Sequence, residues 1–296
     1  RAGEEDVDLL PSPNRGLSEY KRYRGIAGRD IIFTTMLSAR GCPYRCAFCS
    51  TPKGGVRRRK VEAILDEMEH CTSLGIEHVY FVDDTFPTDE RRLDEFCTAL
   101  QLRRRLPEWS CRTAVAGLSE QALLRMKNAG CVRVQIGVET SSDDGLRALE
   151  KPTDIAAIRR TISAAHRVGV ETVAYFMIGL PHEKSAEQIK QTIRFAKSLR
   201  PTYAMFNVLT LYPGTKLYAD ARERGLIADD PWQRFAVDPQ GHFQSPVWDE
   251  FLERERLFSL LHQACRSFYF RPSVIWRQLI SGDLRSLIRK AKVAWS

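Results

Sequence analysis

Three cysteines fall within eight positions, Cys42, Cys46 and Cys49 of GCPYRCAFCS, in a C-x3-C-x2-C run. Thiolates this close along a chain can reach one metal centre, and their loop is opened by Gly41 and stiffened by Pro43. A structural zinc site calls for a fourth Cys or His at short spacing, whereas the nearest imidazole, His70, belongs to a helical stretch far down the chain. Three ligands with an open position suit an iron–sulfur cluster that keeps one iron free for a substrate. A zinc site, or three unrelated thiols, is the competing reading. The other five cysteines, Cys71, Cys97, Cys111, Cys131 and Cys265, have no cluster spacing and read as core or surface thiols.

The elements that must position this loop are βα units. Short β-branched and aromatic runs at 31–38, 78–82, 110–115, 132–138, 172–178 and 204–211 alternate with stretches of helical period. Val61, Ile64, Leu65 and Met68 repeat at i, i+3, i+4 and i+7, as do Leu93, Phe96, Cys97 and Leu100. Ser119 precedes a helix that stops at Gly130, and Ser185 with Gln188 has the capping-box spacing. Six units are fewer than the eight that close a barrel, so the expected fold is α/β, a partial (β/α)6 TIM-like barrel with a helical C-terminal appendage. The expected organisation is a linker arm at 1–29 leading from an upstream domain, the barrel at 30–225 and a mostly helical appendage at 226–296. Within the appendage, 226–245 shows no period and 248–270 reads as one long helix interrupted at Pro272.

An aromatic residue, Phe48, directly before the last cysteine makes the cysteine run resemble the cluster loop of the radical S-adenosylmethionine (SAM) enzymes. Further segments of this resemblance fall at strand ends, where ligands of parallel α/β structures collect. Asp83-Asp84-Thr85-Phe86 is similar to the motif that holds the cofactor's amino group, which implies a role for Asp84. Glu139 in GVET implies a carboxylate on the ribose, Lys151 a base at the cofactor's carboxylate, and Ile178 in FMIGLP a backbone ledge for the adenine. Taken without the resemblance, Glu139 or Lys151 reads equally as a surface salt-bridge partner, and Asp83-Asp84 as a turn and helix cap. His182 replaces the glycine of a GLPGE segment, and Tyr175 stands where many relatives have glycine.

The resemblance implies a [4Fe–4S] cluster on Cys42, Cys46 and Cys49 that donates one electron to the sulfonium of SAM and so generates a 5′-deoxyadenosyl radical. DLLPSPNRGLSEYKRYRG, DDTF and LYPGTKLY resemble the cobalamin-associated branch, whose members methylate unreactive carbons or close and rearrange rings. The chain has no D-x-H-x-x-G run, so cobalamin is expected in the full-length protein but not on this chain alone. Expected partners are a small-molecule or lipid substrate and an electron donor such as flavodoxin or ferredoxin. A tRNA methylthiotransferase shares the cluster loop, and a non-catalytic iron–sulfur redox module is the reading from another class.

Composition bounds these readings. The 296 residues are 43% hydrophobic and 28% charged, which excludes disorder and fibre. The longest apolar run, 172–182, is too short to span a bilayer, and the opening segment has no export signal, so a reducing, cytoplasmic setting is expected. Of the net charge of +8, residues 271–296 carry +5 through four Arg and two Lys against Asp283. Residues 273–296 read as a basic helical appendage, interrupted near Gly282, whose apolar positions, Val274 to Trp295, dock on the barrel or meet an anionic membrane surface. Nucleic acid is not expected, because the Arg57–Lys60 and Arg103–Arg105 runs read as solvated faces.

Overall fold

The computed structural model describes residues 7–9, 11–26, 29–52, 55–87, 89–227, 229–239 and 243–280. Six parallel strands form a half-barrel: β1 Arg29–Met36, β2 His78–Phe81, β3 Glu108–Thr113, β4 Cys131–Glu139, β5 Glu171–Ile178 and β6 Tyr203–Val208. Each pairs with the next in sequence order, as in Phe33 with His78 and Arg112 with Gln135. The linking helices are α1 Val61–Ser73, α2 Glu90–Leu102, α3 Glu120–Asn128, α4 Asp143–Ala148, α5 Ile155–Val168 and α6 Ala186–Leu199. Alternation along the strands gives the sheet two distinct faces. Trp109 and Cys111, Val134 and Ile136, and Ala174 and Phe176 join the apolar faces of the helices in one core. The intervening residues, such as Arg112, Gln135 and Tyr175, are left on the concave face. This is the expected partial barrel.

Helix caps agree with the sequence signals. The Ser119 and Ser185 hydroxyls accept from the amides of Ala122 and Gln188, and Asp89, rather than Asp83 or Asp84, caps α2.

The segment before β1 is tied to the barrel. Arg24–Ile26 pairs antiparallel with β1, and Arg15, only 7% exposed, donates to Thr34 Oγ1 and the Thr35 carbonyl. Its guanidinium lies 2.6 Å from Glu67 Oε1, while Arg59 lies 2.6 Å from Oε2 of the same carboxylate. A buried carboxylate thus sits between two arginines, the compensation that burial of charge requires.

Beyond β6 come α7 Lys216–Glu223, α8 Pro231–Val237, α9 Arg254–Tyr269 and α10 Pro272–Ile280. One expectation is corrected here, and one stretch without a period takes on structure. The unpatterned stretch 226–245 contains α8, whose seven residues are too few to display a period; Asp230 caps it and Pro231 opens it. The helix expected over 248–270 begins only at Arg254, because Trp248 turns into a separate buried patch with Leu209 and Leu211. Pro272 starts α10 instead of interrupting a helix. Leu257, Leu260, Ala264 and Phe268 of α9 are buried in the main core. Most of the basic segment, 281–296, lies outside the described residues.

Candidate active site

The cysteine loop leaves the carboxyl end of β1 and is held from both sides. At its entrance, the buried Asp83 carboxylate accepts from the amides of Ser38 and Ala39, at 2.7 and 3.0 Å, and from the Ser38 hydroxyl at 2.5 Å. Burial pushes the Asp83 carboxyl up to about 6, against the pull of these hydrogen bonds. Asp84 reaches the loop itself, accepting from the Gly41 amide at 2.8 Å and the Thr51 hydroxyl at 3.3 Å. Gly41 has φ +95°, and a Cβ there would lie 2.7 Å from the Gly55 carbonyl oxygen, so only glycine fits this turn.

The middle of the loop is clasped by two later segments. The Ala47 amide donates to the Leu149 carbonyl at 2.9 Å, and the Ala47 carbonyl accepts from the Leu217 amide at 3.1 Å. LYPGTKLY therefore supports the loop directly, because Thr215 caps α7 and that helix presents the Leu217 amide to the cysteines' backbone.

The Cys49 thiol donates to Thr51 Oγ1 at 3.3 Å, and the Cys49 amide to the Cys46 carbonyl at 3.1 Å. Burial raises the Cys42 and Cys46 pKa values; neighbouring thiols add to this, while Lys151 opposes it. Among the described residues, no three His, Cys, Asp or Glu side chains are gathered closely enough to hold a single metal ion.

Glu139 and Lys151 are brought together across twelve residues of chain. Lys151 Nζ donates to Glu139 Oε1 at 2.6 Å and lies 5.7 Å from the centre of the Phe48 ring. Glu139 is 6% exposed and has φ +68°, a left-handed conformation, where the register of β4 against β5 shifts. Such strain in a non-glycine residue persists only where its surroundings enforce it. Burial works against the Lys151 ammonium, but the Glu139 carboxylate and the Cys46 and Cys49 thiols outweigh it and raise its pKa. A Cβ on Gly137 would lie 2.1 Å from Glu139 Oε1 and 2.6 Å from Lys151 Nζ, so the bare glycine makes room for the pair.

Thus Cys42, Cys46, Cys49, Phe48, Asp84, Glu139 and Lys151 share one end of the half-barrel, whereas the Ile178 side chain does not join them. That side chain is buried in the core, and its carbonyl accepts from the Leu209 amide at 2.9 Å.

Next to it, Glu183 accepts from the Leu180 amide and the Thr192 hydroxyl, both at 3.1 Å, and burial pushes its carboxyl up to about 7. His182 Nε2 is 3.0 Å from Thr140 Oγ1, and burial lowers the imidazole pKa. Thr51, Gly137 as a spacer, and Glu183 went unrecognised in sequence. Thr51 acts through a tertiary contact with Asp84, and Glu183, though its partners Leu180 and Thr192 are near in sequence, stands out only through its burial in the fold.

The donor set fits the two groups that the cysteine loop implies. The three thiols and the Lys151 ammonium lie close enough to perturb one another, and an acid and a base stand together in a cradle kept open by Gly137. The fold and this arrangement define a class, a partial α/β barrel with a cysteine loop at the carboxyl end of its first strand. Residues 36–196 match the pattern of the radical SAM superfamily, more than half of the chain, and the chain belongs to that superfamily.

Similar proteins include an uncharacterized methyltransferase of Pyrococcus horikoshii, 29% identical, aligned over 96% of this chain and 62% of that protein. The anaerobic magnesium-protoporphyrin IX monomethyl ester cyclase of Rubrivivax gelatinosus is 26% identical over 96% of this chain and 52% of its own length. The chain therefore spans between half and two thirds of these relatives. Among solved structures, the cobalamin- and [4Fe–4S]-bound radical SAM methyltransferase TsrM of Kitasatospora setae superposes with a TM-score of 0.63 at 20% identity. That match covers 73% of this chain and 43% of TsrM, and it supports the fold.

Proposed function

We propose that this chain is the catalytic barrel of a radical SAM enzyme that methylates or cyclises a small molecule with the help of cobalamin. The observation that carries the reading is the convergence of the cysteine loop with the Glu139–Lys151 pair at the carboxyl end of the sheet. A reduced [4Fe–4S] cluster on Cys42, Cys46 and Cys49 would supply the electron that cleaves SAM to methionine and a 5′-deoxyadenosyl radical. Lys151 would take the cofactor's carboxylate and Glu139 its ribose hydroxyls, so that one contact each replaces their mutual ion pair. Asp84 fixes the loop through Gly41 and Thr51 and would stand near the cofactor's amino group. The Phe48 ring lies 5.7 Å from the Lys151 ammonium and would help keep water from it. The backbone around Ile178 would face the adenine.

The names of the relatives support a methyltransferase or cyclase acting on a small molecule, including tetrapyrroles and tryptophan. We place the cobalamin-binding residues outside this chain, and an electron donor of the flavodoxin or ferredoxin type would reduce the cluster. Among the described residues no helix is long and apolar enough to cross a membrane.

The test is anaerobic reconstitution with iron and sulfide, followed by assay for 5′-deoxyadenosine after addition of SAM and dithionite. One oxygen-labile cluster per chain and cofactor cleavage are expected. Full cluster occupancy after replacement of any one of Cys42, Cys46 and Cys49 by alanine sinks the assignment.

A further inference from the structure

The concave face carries a polar group that the cofactor reading does not use. Arg112 on β3, Tyr80 on β2, Gln135 on β4 and Tyr175 on β5 come from four adjacent strands and form one hydrogen-bonded set. The Tyr80 hydroxyl donates to Gln135 Oε1 at 3.0 Å, and the Tyr175 hydroxyl donates to the same oxygen. Arg112 in turn donates to the Tyr80 hydroxyl at 3.4 Å. Gln135 is 8% exposed, so the acceptor that orients both phenols is itself fixed. Arg112 is exposed, and among the described residues no carboxylate lies within ion-pair distance of it; Asp84 acts on it only through space. A guanidinium aimed by a phenol over a concave surface, with most of its donors free, is the recognition element for an anion.

We propose that Arg112, oriented by Tyr80 and Gln135, anchors a carboxylate of the substrate; this rests on the radical SAM reading of the neighbouring site. A carboxylate matches one planar guanidinium in charge and geometry, whereas a phosphate dianion would keep one charge uncompensated and meet about twice the repulsion from Asp84. Gln135 and Gly137 alternate onto the same face of β4, and the Glu139–Lys151 pair lies over Gly137. At about 3.3 Å per residue along β4 and about 4.8 Å across to its neighbour, the Arg112 backbone stands roughly 8 Å from the Gly137 position that the pair overlies. The substrate class is therefore a small molecule whose carboxylate is separated from the reacting carbon by about the width of one or two rings. Arg112 is a specificity residue in this scheme.

Benzoate, benzamide and inorganic phosphate are the probes, titrated into the chain and followed by ligand-observed NMR. Benzoate should bind and benzamide should not, and Arg112→Gln should weaken benzoate by at least about 10-fold, as loss of a charge-assisted bond requires. Tyr80→Phe, which removes only the orienting hydroxyl, should weaken it about 2- to 10-fold. SAM binding to the reconstituted Arg112→Gln protein should match wild type. Equal binding of benzoate and benzamide, no benzoate binding, or preference for phosphate overturns the proposal. Loss of SAM affinity in Arg112→Gln also overturns it, because Arg112 would then hold the cofactor. Failure of the wild-type chain to assemble a cluster would instead remove the cofactor reading, leaving benzoate binding to report on Arg112 alone.

Discussion

Glu139 and Lys151 form a 2.6 Å ion pair directly above Gly137, and the glycine is what lets them meet. The strained φ of Glu139 and the register shift in β4 both serve to turn its carboxylate back over the strand end. The pair is almost dry, so its two charges depend on each other.

Gly137→Ala should therefore damage the site without unfolding the barrel. Its methyl group would displace the carboxylate and the ammonium together, and the SAM dissociation constant of reconstituted protein should rise at least about 10-fold. Glu139→Ala removes one charge-assisted contact worth about 1.5–3 kcal/mol, which corresponds to roughly 10- to 150-fold. Equilibrium binding measures both, and iron content should stay at the wild-type level in each.

Replacement of Cys42, of Cys46 or of Cys49 should by itself abolish cluster assembly, whereas Cys265→Ala should be silent. Cys42, Cys46 and Cys49 share one loop, while Cys265 lies on α9. Iron and sulfide analysis after reconstitution distinguishes the two groups.

The arm that carries Arg15 predicts an asymmetry in stability. Glu67→Ala leaves two arginines facing each other around a buried void, and breaking a buried pair in this way costs about 3–5 kcal/mol. Arg15→Ala leaves Glu67 paired with Arg59 and should cost less. Urea denaturation should rank the variants in that order, and equal losses would show that the two arginines are not sharing one carboxylate.

Glu183 predicts a pH dependence. Its folded pKa of about 7 exceeds the ordinary 4.5 because burial disfavours the carboxylate. Between those values the unfolded chain releases a proton that the folded chain keeps, so this group lowers stability as pH rises through the window. Glu183→Gln removes the penalty while keeping an acceptor for Leu180. Relative to wild type the variant should gain about 2–3 kcal/mol between pH 5 and pH 8, and the comparison cancels the contributions of Asp83 and His182. Parallel stability curves for the two proteins would show that Glu183 does not titrate in this range.

The cysteine spacing, the βα alternation and the strand-end placement of DDTF and GVET are local properties, and the sequence alone determined them. Ligand type and strand period repeat within a few residues, so no tertiary information is needed to see them. The sequence also identified Glu139 and Lys151 as candidates but left each as plausible on a surface. Only the fold decided that they pair with each other, because the contact depends on a left-handed residue and on a space left by Gly137. The helix at 231–237, the buried Arg15–Glu67–Arg59 group and the Arg112–Tyr80–Gln135–Tyr175 set were likewise invisible. A seven-residue helix is too short to show a period. Apart from Arg59 and Glu67, eight positions apart, the other two groups join residues tens of positions apart, and what unites them is the register of parallel strands and the packing of an arm against a barrel, which no linear pattern encodes.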